Sequence, residues 1–361
     1  MDPFVFHRQL ADRTARAPRK VAQLPARAAQ VATADPGETP YEVIAEESIL
    51  RLRRYDPAAV DGSARADESP IPIVIVYPFI NDPSILDFRP DRSVIRCLLE
   101  RGAPVYVLEW LDASPIDRSI GLDDVVARYL HRFVDVARED ADSTEVHLHG
   151  YSTGAPLAAA YAALHPERIR TLVLQGPPLD FDAGGGVGLL RLLAAHLPLE
   201  TLVESFDAVP PPVVEGAFTL RKPVEYAATN PARLWDRLDD EGYVEDFARR
   251  LAWTADGPAV PGTFYREFVE RLLLENRLIR NELRVDGRRV DVGSLAVPVL
   301  LVLGREDEFV PREASVPFLD VLSSDDTETL DLPTGHVGLS IAPEAHEQGW
   351  PSVYEWLEAR T

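Results

Sequence analysis

One cysteine, Cys97, is all that the 361 residues contain. A single thiol cannot form an intrachain disulfide, and a cysteine-ligated metal site would need more of them. Lysine is nearly missing too: Lys20 and Lys222 are the only two, and arginine supplies the remaining cations. With 37 Lys and Arg against 59 Asp and Glu, the formal net charge is −22. Such a surface repels phosphate backbones and argues against nucleic acid as a partner. It is compatible with a salt-rich interior, where screening removes self-repulsion. No apolar run approaches the length of a membrane span, and the N-terminus lacks the apolar core of a secretion signal. Asp and His are too scattered for a dedicated metal site. These absences predict a cytoplasmic protein with neither metal nor bound cofactor.

What is present is chemistry at a turn. Gly150-Tyr151-Ser152-Thr153-Gly154 follows a short apolar run, Glu145 to His149, and precedes an Ala-rich run, Ala155 to Leu164. A strand, a Gly-x-Ser-x-Gly turn and a helix in that order form a nucleophile elbow, the hallmark of the α/β-hydrolase fold. Small residues let strand and helix pass closely, and the helix N-terminus adds positive potential. Ser152 is therefore the expected nucleophile. A serine hydroxyl is a poor nucleophile unaided, so it needs a base, and the base needs an orienting acid. In this fold they follow in the order Ser, Asp or Glu, His. Asp307 lies just past the apolar run Val297 to Gly304, with Glu306 and Glu308 as competitors. His336 lies just past Thr327 to Leu332, between Gly335 and Gly338. Both fall at carboxyl ends of expected strands, where sites in open α/β sheets gather. The oxyanion would take one backbone N–H from Thr153 and another from the loop Pro78 to Pro83, at Ile80 or Asn81.

The rest of the chain reads as alternating strands and helices, hence a doubly wound, mostly parallel sheet. Strands are expected over 48–55 as an outer strand, then 71–77, 104–110, 145–149, 170–176, 297–304 and 327–332. Helices are expected over 91–101, 122–136 and 351–360. Cys97 falls within the first of these and reads as a small core residue. His147 and His149 share one face of the elbow strand and read as satisfied core groups. Residues 1–40 form a basic arm, with helical spacing interrupted by Pro18 and Pro25, and a linker over Asp35 to Pro40. The arm suits a packed or solvated helix, or an acidic partner or lipid-like surface. Residues 41–180 and 291–361 form the core. The alternation breaks over 181–290, a largely helical insertion placed where a cap would sit. Within it, Gly184 to Gly188 reads as a flexible joint; it lacks the setting of a phosphate loop.

Several segments together resemble the polyhydroxyalkanoate synthases, closest to the class III catalytic subunit. They are Leu86 to Ser93, Val105 to Trp110, Ala162 to Arg168, Phe264 to Val269, Glu275 to Ile279, Gly287 to Asp291 and Gly335 to Gly338. The resemblance runs from about Thr39 to the end. It implies an α/β-hydrolase core with a mobile cap, and acyl transfer from (R)-3-hydroxyacyl-coenzyme A onto a growing polyester. The coenzyme A thioester is then a substrate, not a cofactor. It gives Asp307 and His336 the family's acid and base, puts Ile80 in the oxyanion loop, and lets the Asp assist the incoming hydroxyl. It also implies a small partner subunit and a granule surface; a homodimer is compatible with a hydrophobic cap. The sequence departs at the centre: the family pattern is Gly-x-Cys-x-Gly-Gly, and here Ser152 and Ala155 stand instead. A serine ester is a less activated acyl group than a thioester, which moves the expectation toward hydrolysis. Three readings follow: a synthase-like acyltransferase, a serine esterase, thioesterase or polyester depolymerase, and a non-catalytic granule scaffold.

Overall fold

A computed structural model describes residues 18, 20–33, 37–60, 71–214, 230–255 and 257–361. Contacts divide the chain into two compact units, Gly37–Ala217 with Gly257–Thr361, and Met1–Pro36 with Phe218–Asp256.

The large unit is built on eight strands: β1 (Glu42–Glu47), β2 (Leu50–Tyr55), β3 (Ile73–Val76), β4 (Val105–Trp110), β5 (Val146–Tyr151), β6 (Ile169–Gln175), β7 (Val299–Gly304) and β8 (Thr327–Leu332). Their order is β1-β2-β4-β3-β5-β6-β7-β8. From β4 onward all pairs are parallel, while β1–β2 and β2–β4 are antiparallel. The central strands Ile-Val-Ile-Val and Val-Leu-Leu-Val-Leu-Gly are buried throughout, as parallel strands covered on both faces must be. The chain passes from β3 to β4 on one side and then crosses to β5 on the other. That reversal opens a crevice at the carboxyl ends of β3 and β5. The helices include α1 (Val94–Leu99), α2 (His131–Asp140), α3 (Gly154–Leu164), α4 (Gly185–Ala194), α5 (Leu199–Ser205), α6 (Asn230–Asp236), α7 (Glu241–Ala255), α8 (Gly262–Glu267), α9 (Gly338–Ile341) and α10 (Trp350–Glu358); short helical turns and two-stranded ladders join them. Among the described residues no single helix is long and apolar enough to cross a membrane.

Several elements differ from expectation for local reasons. The strand expected at the sheet's edge, 48–55, is second: β1 pairs outside it through a turn at Ser48, whose φ is 53°. The helix expected from Asp91 begins at Val94, because the Ser93 hydroxyl accepts the Arg96 N–H at 3.0 Å and caps it. Cys97 is only partly buried and takes a hydrogen bond from the Arg101 guanidinium at 3.1 Å. The expected helix 122–136 is wound more widely over Asp124–Leu130 and continues as α2 to Asp140. The linker is not loose where it is described. Asp87, in the first of the resembling segments, accepts from the Thr39 N–H at 2.7 Å, the Thr39 hydroxyl at 2.9 Å and the Ser93 hydroxyl at 2.6 Å. Residues 35 and 36 lie outside the described residues.

Glu109 ties the antiparallel edge to the parallel sheet. It receives both the Arg51 and the Arg53 guanidinium, and Arg53 also lies over the Tyr41 ring at 4.3 Å. Burial alone would push the carboxyl up, but the two arginines outweigh it and hold Glu109 below the ordinary carboxylate range.

The small unit contains a helix over 20–33, α6 and α7. Pro25, expected to interrupt the arm, lies within that helix, which forgoes one backbone hydrogen bond there. Lys20 donates to the Trp235 and Asp236 carbonyls, each at 2.7 Å, closing the C-terminus of α6. Residues 1–17 of the expected arm lie outside the described residues. The expected insertion 181–290 is thus shared: 218–256 groups with residues before 37, and the remainder belongs to the large unit.

Candidate active site

At the end of β5 the backbone turns sharply. Ser152 has φ 47°, a left-handed conformation that strains any residue with a side chain. Two backbone bonds hold it there: the Ser152 N–H donates to the Gln175 carbonyl, and the Ala155 N–H donates to the Ser152 carbonyl, both at 2.9 Å. Two glycines make the turn sterically possible. A Cβ on Gly150 would come within 2.6 Å of the Ala155 Cα, and one on Gly154 would collide with the Val76 carbonyl oxygen. Helix α3 therefore begins hard against the end of β3.

The three expected side chains meet. The Ser152 hydroxyl lies 2.9 Å from Nε2 of His336, and Nδ1 of His336 lies 2.7 Å from Oδ2 of Asp307. The other carboxylate oxygen is occupied: Oδ1 accepts the backbone N–H groups of Phe309 at 2.9 Å and Val310 at 2.8 Å. That pair of donors fixes which oxygen faces the imidazole. It also separates Asp307 from its neighbours Glu306 and Glu308. A carboxylate opposite Nδ1 selects the tautomer with the proton on Nδ1, leaving the Nε2 lone pair for the serine proton.

The imidazole is enclosed by residues that the sequence reading passed over. Tyr151 stacks on it with ring centres 5.9 Å apart, and Phe309 meets it edge-on at 5.5 Å. Gly176, at φ 52°, lies beneath it; a Cβ there would come within 2.9 Å of Cε1. The run Gly184 to Gly188 is a clamp where a joint was expected. The N–H groups of Gly186 and Val187 donate to the Glu308 and Phe309 carbonyls at 2.9 and 3.0 Å. A side chain on Gly186 would strike Phe309, so these glycines permit close docking of α4 onto the loop that carries Asp307.

Of the expected oxyanion donors, Thr153 lies at the N-terminus of α3, and Ile80 and Asn81 lie in the loop leaving β3 at the Gly154 contact. Asn81 has φ 60°. The loop is anchored by aromatics. Phe79 packs edge-on against Phe264 at 5.3 Å and Phe268 at 4.8 Å, and the Trp110 indole N–H donates to the Tyr77 carbonyl at 3.2 Å. The spacing of four between Phe264 and Phe268 was the available sign of that anchor.

Below the elbow, His147 pairs with the Thr171 hydroxyl at 2.9 Å, and His149 with the Gln175 side chain at 3.1 Å. Burial, with Arg170 adding to it at His147, lowers both imidazoles from 6.5 to about 4. Folded, both are neutral; unfolded, each takes a proton near pH 6.5. Their contribution is therefore intact above that pH and is lost as pH falls toward 4, by roughly 3 kcal/mol each at about 1.4 kcal/mol per unit. The double variant His147→Gln, His149→Gln should lose less Tm than the parent between pH 6.5 and 4.5. Parallel Tm curves would contradict this. His7 lies outside the described residues, and none of His131, His165, His196 or His346 joins Ser152.

A hydroxyl facing an imidazole, with a carboxylate behind the ring, can lose its proton as it attacks a carbonyl carbon and regain it as the leaving group departs. Comparison with known proteins agrees with this geometry. A family model described as alpha/beta hydrolase fold matches residues 72–343. The poly(3-hydroxyalkanoate) polymerase subunit PhaC of Haloarcula marismortui is 39% identical over 328 residues, covering 91% of this chain and 69% of that protein. The PhaC subunit of Allochromatium vinosum is 31% identical over 326 residues, covering 90% of each. Among solved structures, a bacterial membrane phospholipase A superposes with a TM-score of 0.50 at 16% identity, covering 99% of both chains, a likeness of fold alone. The eight-stranded sheet with its elbow, and relatives matched over nine-tenths of the chain, lead to one assignment: the protein belongs to the poly(3-hydroxyalkanoate) polymerase PhaC family, on the α/β-hydrolase fold.

Proposed function

We propose that this chain is an acyltransferase that builds a poly(3-hydroxyalkanoate), with Ser152 as nucleophile, His336 as general base and acid, and Asp307 as the acid that orients it. The observation that carries the reading is the unbroken hydrogen-bonded line from Ser152 through His336 to Asp307 in a chain of this family. In the first half-reaction the Ser152 oxygen attacks the carbonyl of a 3-hydroxyacyl-coenzyme A thioester. His336 takes the hydroxyl proton and returns it to the departing thiol, leaving a serine ester. In the second, the hydroxyl of one acyl unit or chain end attacks that ester, His336 takes its proton, and Ser152 leaves as the alcohol. Backbone N–H groups of Thr153 and of Ile80 or Asn81 are the proposed donors to both oxyanions. No metal or resident cofactor enters either step. A small partner subunit, a granule surface and a cytoplasmic setting belong to the same reading, supported by the family.

The oxygen at position 152 supports a second reading, hydrolysis. Acylation of a serine by a thioester runs downhill, but transfer from one oxygen ester to another hydroxyl is nearly neutral, whereas water is a favourable acceptor. Purified protein should be offered 3-hydroxybutyryl-coenzyme A and, separately, a short-chain p-nitrophenyl ester. Polymer with little free acid is the expected result. Ester cleavage without polymer would assign the protein to hydrolysis, and in that case polymer made by Ser152→Cys would trace the difference to the reacting atom.

A further inference from the structure

We infer that Gln175 is a positioning residue that holds the nucleophile and its base in one frame, through a buried line of polar side chains running from His149 to Ser340. The inference rests on the reading of Ser152 and His336 as nucleophile and base, and it adds residues that touch no substrate.

Gln175 ends β6, next to the elbow strand in the sheet. Its backbone carbonyl accepts the Ser152 N–H at 2.9 Å, one of the bonds that hold the strained turn. Its side chain is engaged at both polar atoms. Oε1 faces Nε2 of His149 at 3.1 Å, and Nε2 donates to the Ser340 hydroxyl at 2.8 Å. Tyr151, the residue before the nucleophile, stacks on the His336 ring with centres 5.9 Å apart. Gln175, Ser340, His149 and Tyr151 are each no more than 2% exposed.

Ser340 lies in α9, the short helix that begins two residues after His336. Two more side chains hold that helix: His346 donates to the Ser340 carbonyl at 2.7 Å, and the Trp350 indole N–H donates to the Leu339 carbonyl at 3.0 Å. The His336 loop is thus tied on its C-terminal side to α9, and α9 is tied by Gln175 to the residue that fixes Ser152. One side chain bridges the two segments whose separation sets the 2.9 Å contact between hydroxyl and imidazole. Without that bridge the loop rests on the outer anchors, and the pair samples longer separations. A misplacement near 1 Å is enough to cost about 10²-fold in rate. Burial makes such a network stiff when every member is satisfied.

Two variants and two readouts test this. Gln175→Leu removes the bridge but leaves His149 without its partner; Ser340→Ala removes only the end that reaches the His336 loop and spares the His149 bond. The first readout is the rate of covalent labelling by a fluorophosphonate, well below each variant's Tm, together with kcat and KM for whichever ester or thioester is turned over. The second is the downfield proton NMR signal of the imidazole N–H shared with Asp307, which needs no turnover. Labelling and kcat are expected to fall about 10- to 100-fold in both variants, with KM within about twofold, and the downfield signal to broaden. Both readouts are blind to whether a chain end or water is the acceptor, so failure of the polymerase reading would leave the inference standing. Variants that lose only Tm, with labelling rate and imidazole signal unchanged, would overturn it. Should the parent take no label, the functional reading fails instead, and an unchanged imidazole signal in both variants would by itself overturn the positioning role.

Discussion

Ser152→Ala should yield a folded protein with no detectable fluorophosphonate labelling and turnover reduced by at least about 10³-fold. The turn does not depend on the hydroxyl. Its backbone is held by the Ser152 N–H to the Gln175 carbonyl and by the Ala155 N–H to the Ser152 carbonyl, both of which alanine keeps. What disappears is the oxygen 2.9 Å from His336. His336→Ala should approach the same floor, because the members of such a line act as a unit and their losses do not add. Ser152→Gly supplies a control on the scaffold. Glycine adopts φ 47° without strain, so this variant should be inactive yet at least as stable as the parent, by about 1 kcal/mol. Activity surviving in Ser152→Ala would remove the nucleophile from the proposal, whatever acyl group is offered.

Asp307→Asn should lower kcat by about 10⁴-fold while leaving the fold intact. The direction follows from the two N–H groups of Phe309 and Val310, which both donate to Oδ1. An asparagine must keep an oxygen at that position, so its NH₂ takes the place of Oδ2, 2.7 Å from Nδ1 of His336. Two donors cannot face each other. The ring then places its proton on Nε2, toward Ser152, where a lone pair is required. The variant would hold the right shape with the wrong tautomer. A loss of less than tenfold would mean that another group orients the imidazole; Glu306 and Glu308 are the nearest acids in sequence. Labelling rate and kcat, with Tm as the check on folding, decide it.

The triad was legible because each member sits where a strand run stops and punctuation begins. Gly150 and Gly154 bracket Ser152, Gly304 precedes Asp307, and Gly335 and Gly338 flank His336. The fold was legible for a similar reason: buried parallel strands are nearly continuous apolar runs, which local pattern reveals. Pairings across long stretches of chain were not. Nothing near Glu42 advertises an edge strand; Glu42-Val-Ile-Ala-Glu-Glu47 is half exposed and takes its form from β2. The grouping of 218–256 with the start of the chain is non-local in the same way. Gly184 to Gly188 reads by composition as a joint, since a glycine run looks alike whether it bends freely or lets two backbones touch. Gln175 falls at the end of an apolar strand run, and only its partners His149 and Ser340, 26 and 165 residues away, give it a role.

The tight passage at the elbow has one more consequence. Positions 150 and 154 admit nothing beyond hydrogen, since even a methyl group would run into Ala155 or the Val76 carbonyl. Position 152 is different, because its side chain leaves the crowded backbone for the crevice. The scaffold therefore treats the reacting atom as a replaceable part. A lineage could trade sulfur for oxygen there in one substitution, altering the thermodynamics of its intermediate without rebuilding the machine around it.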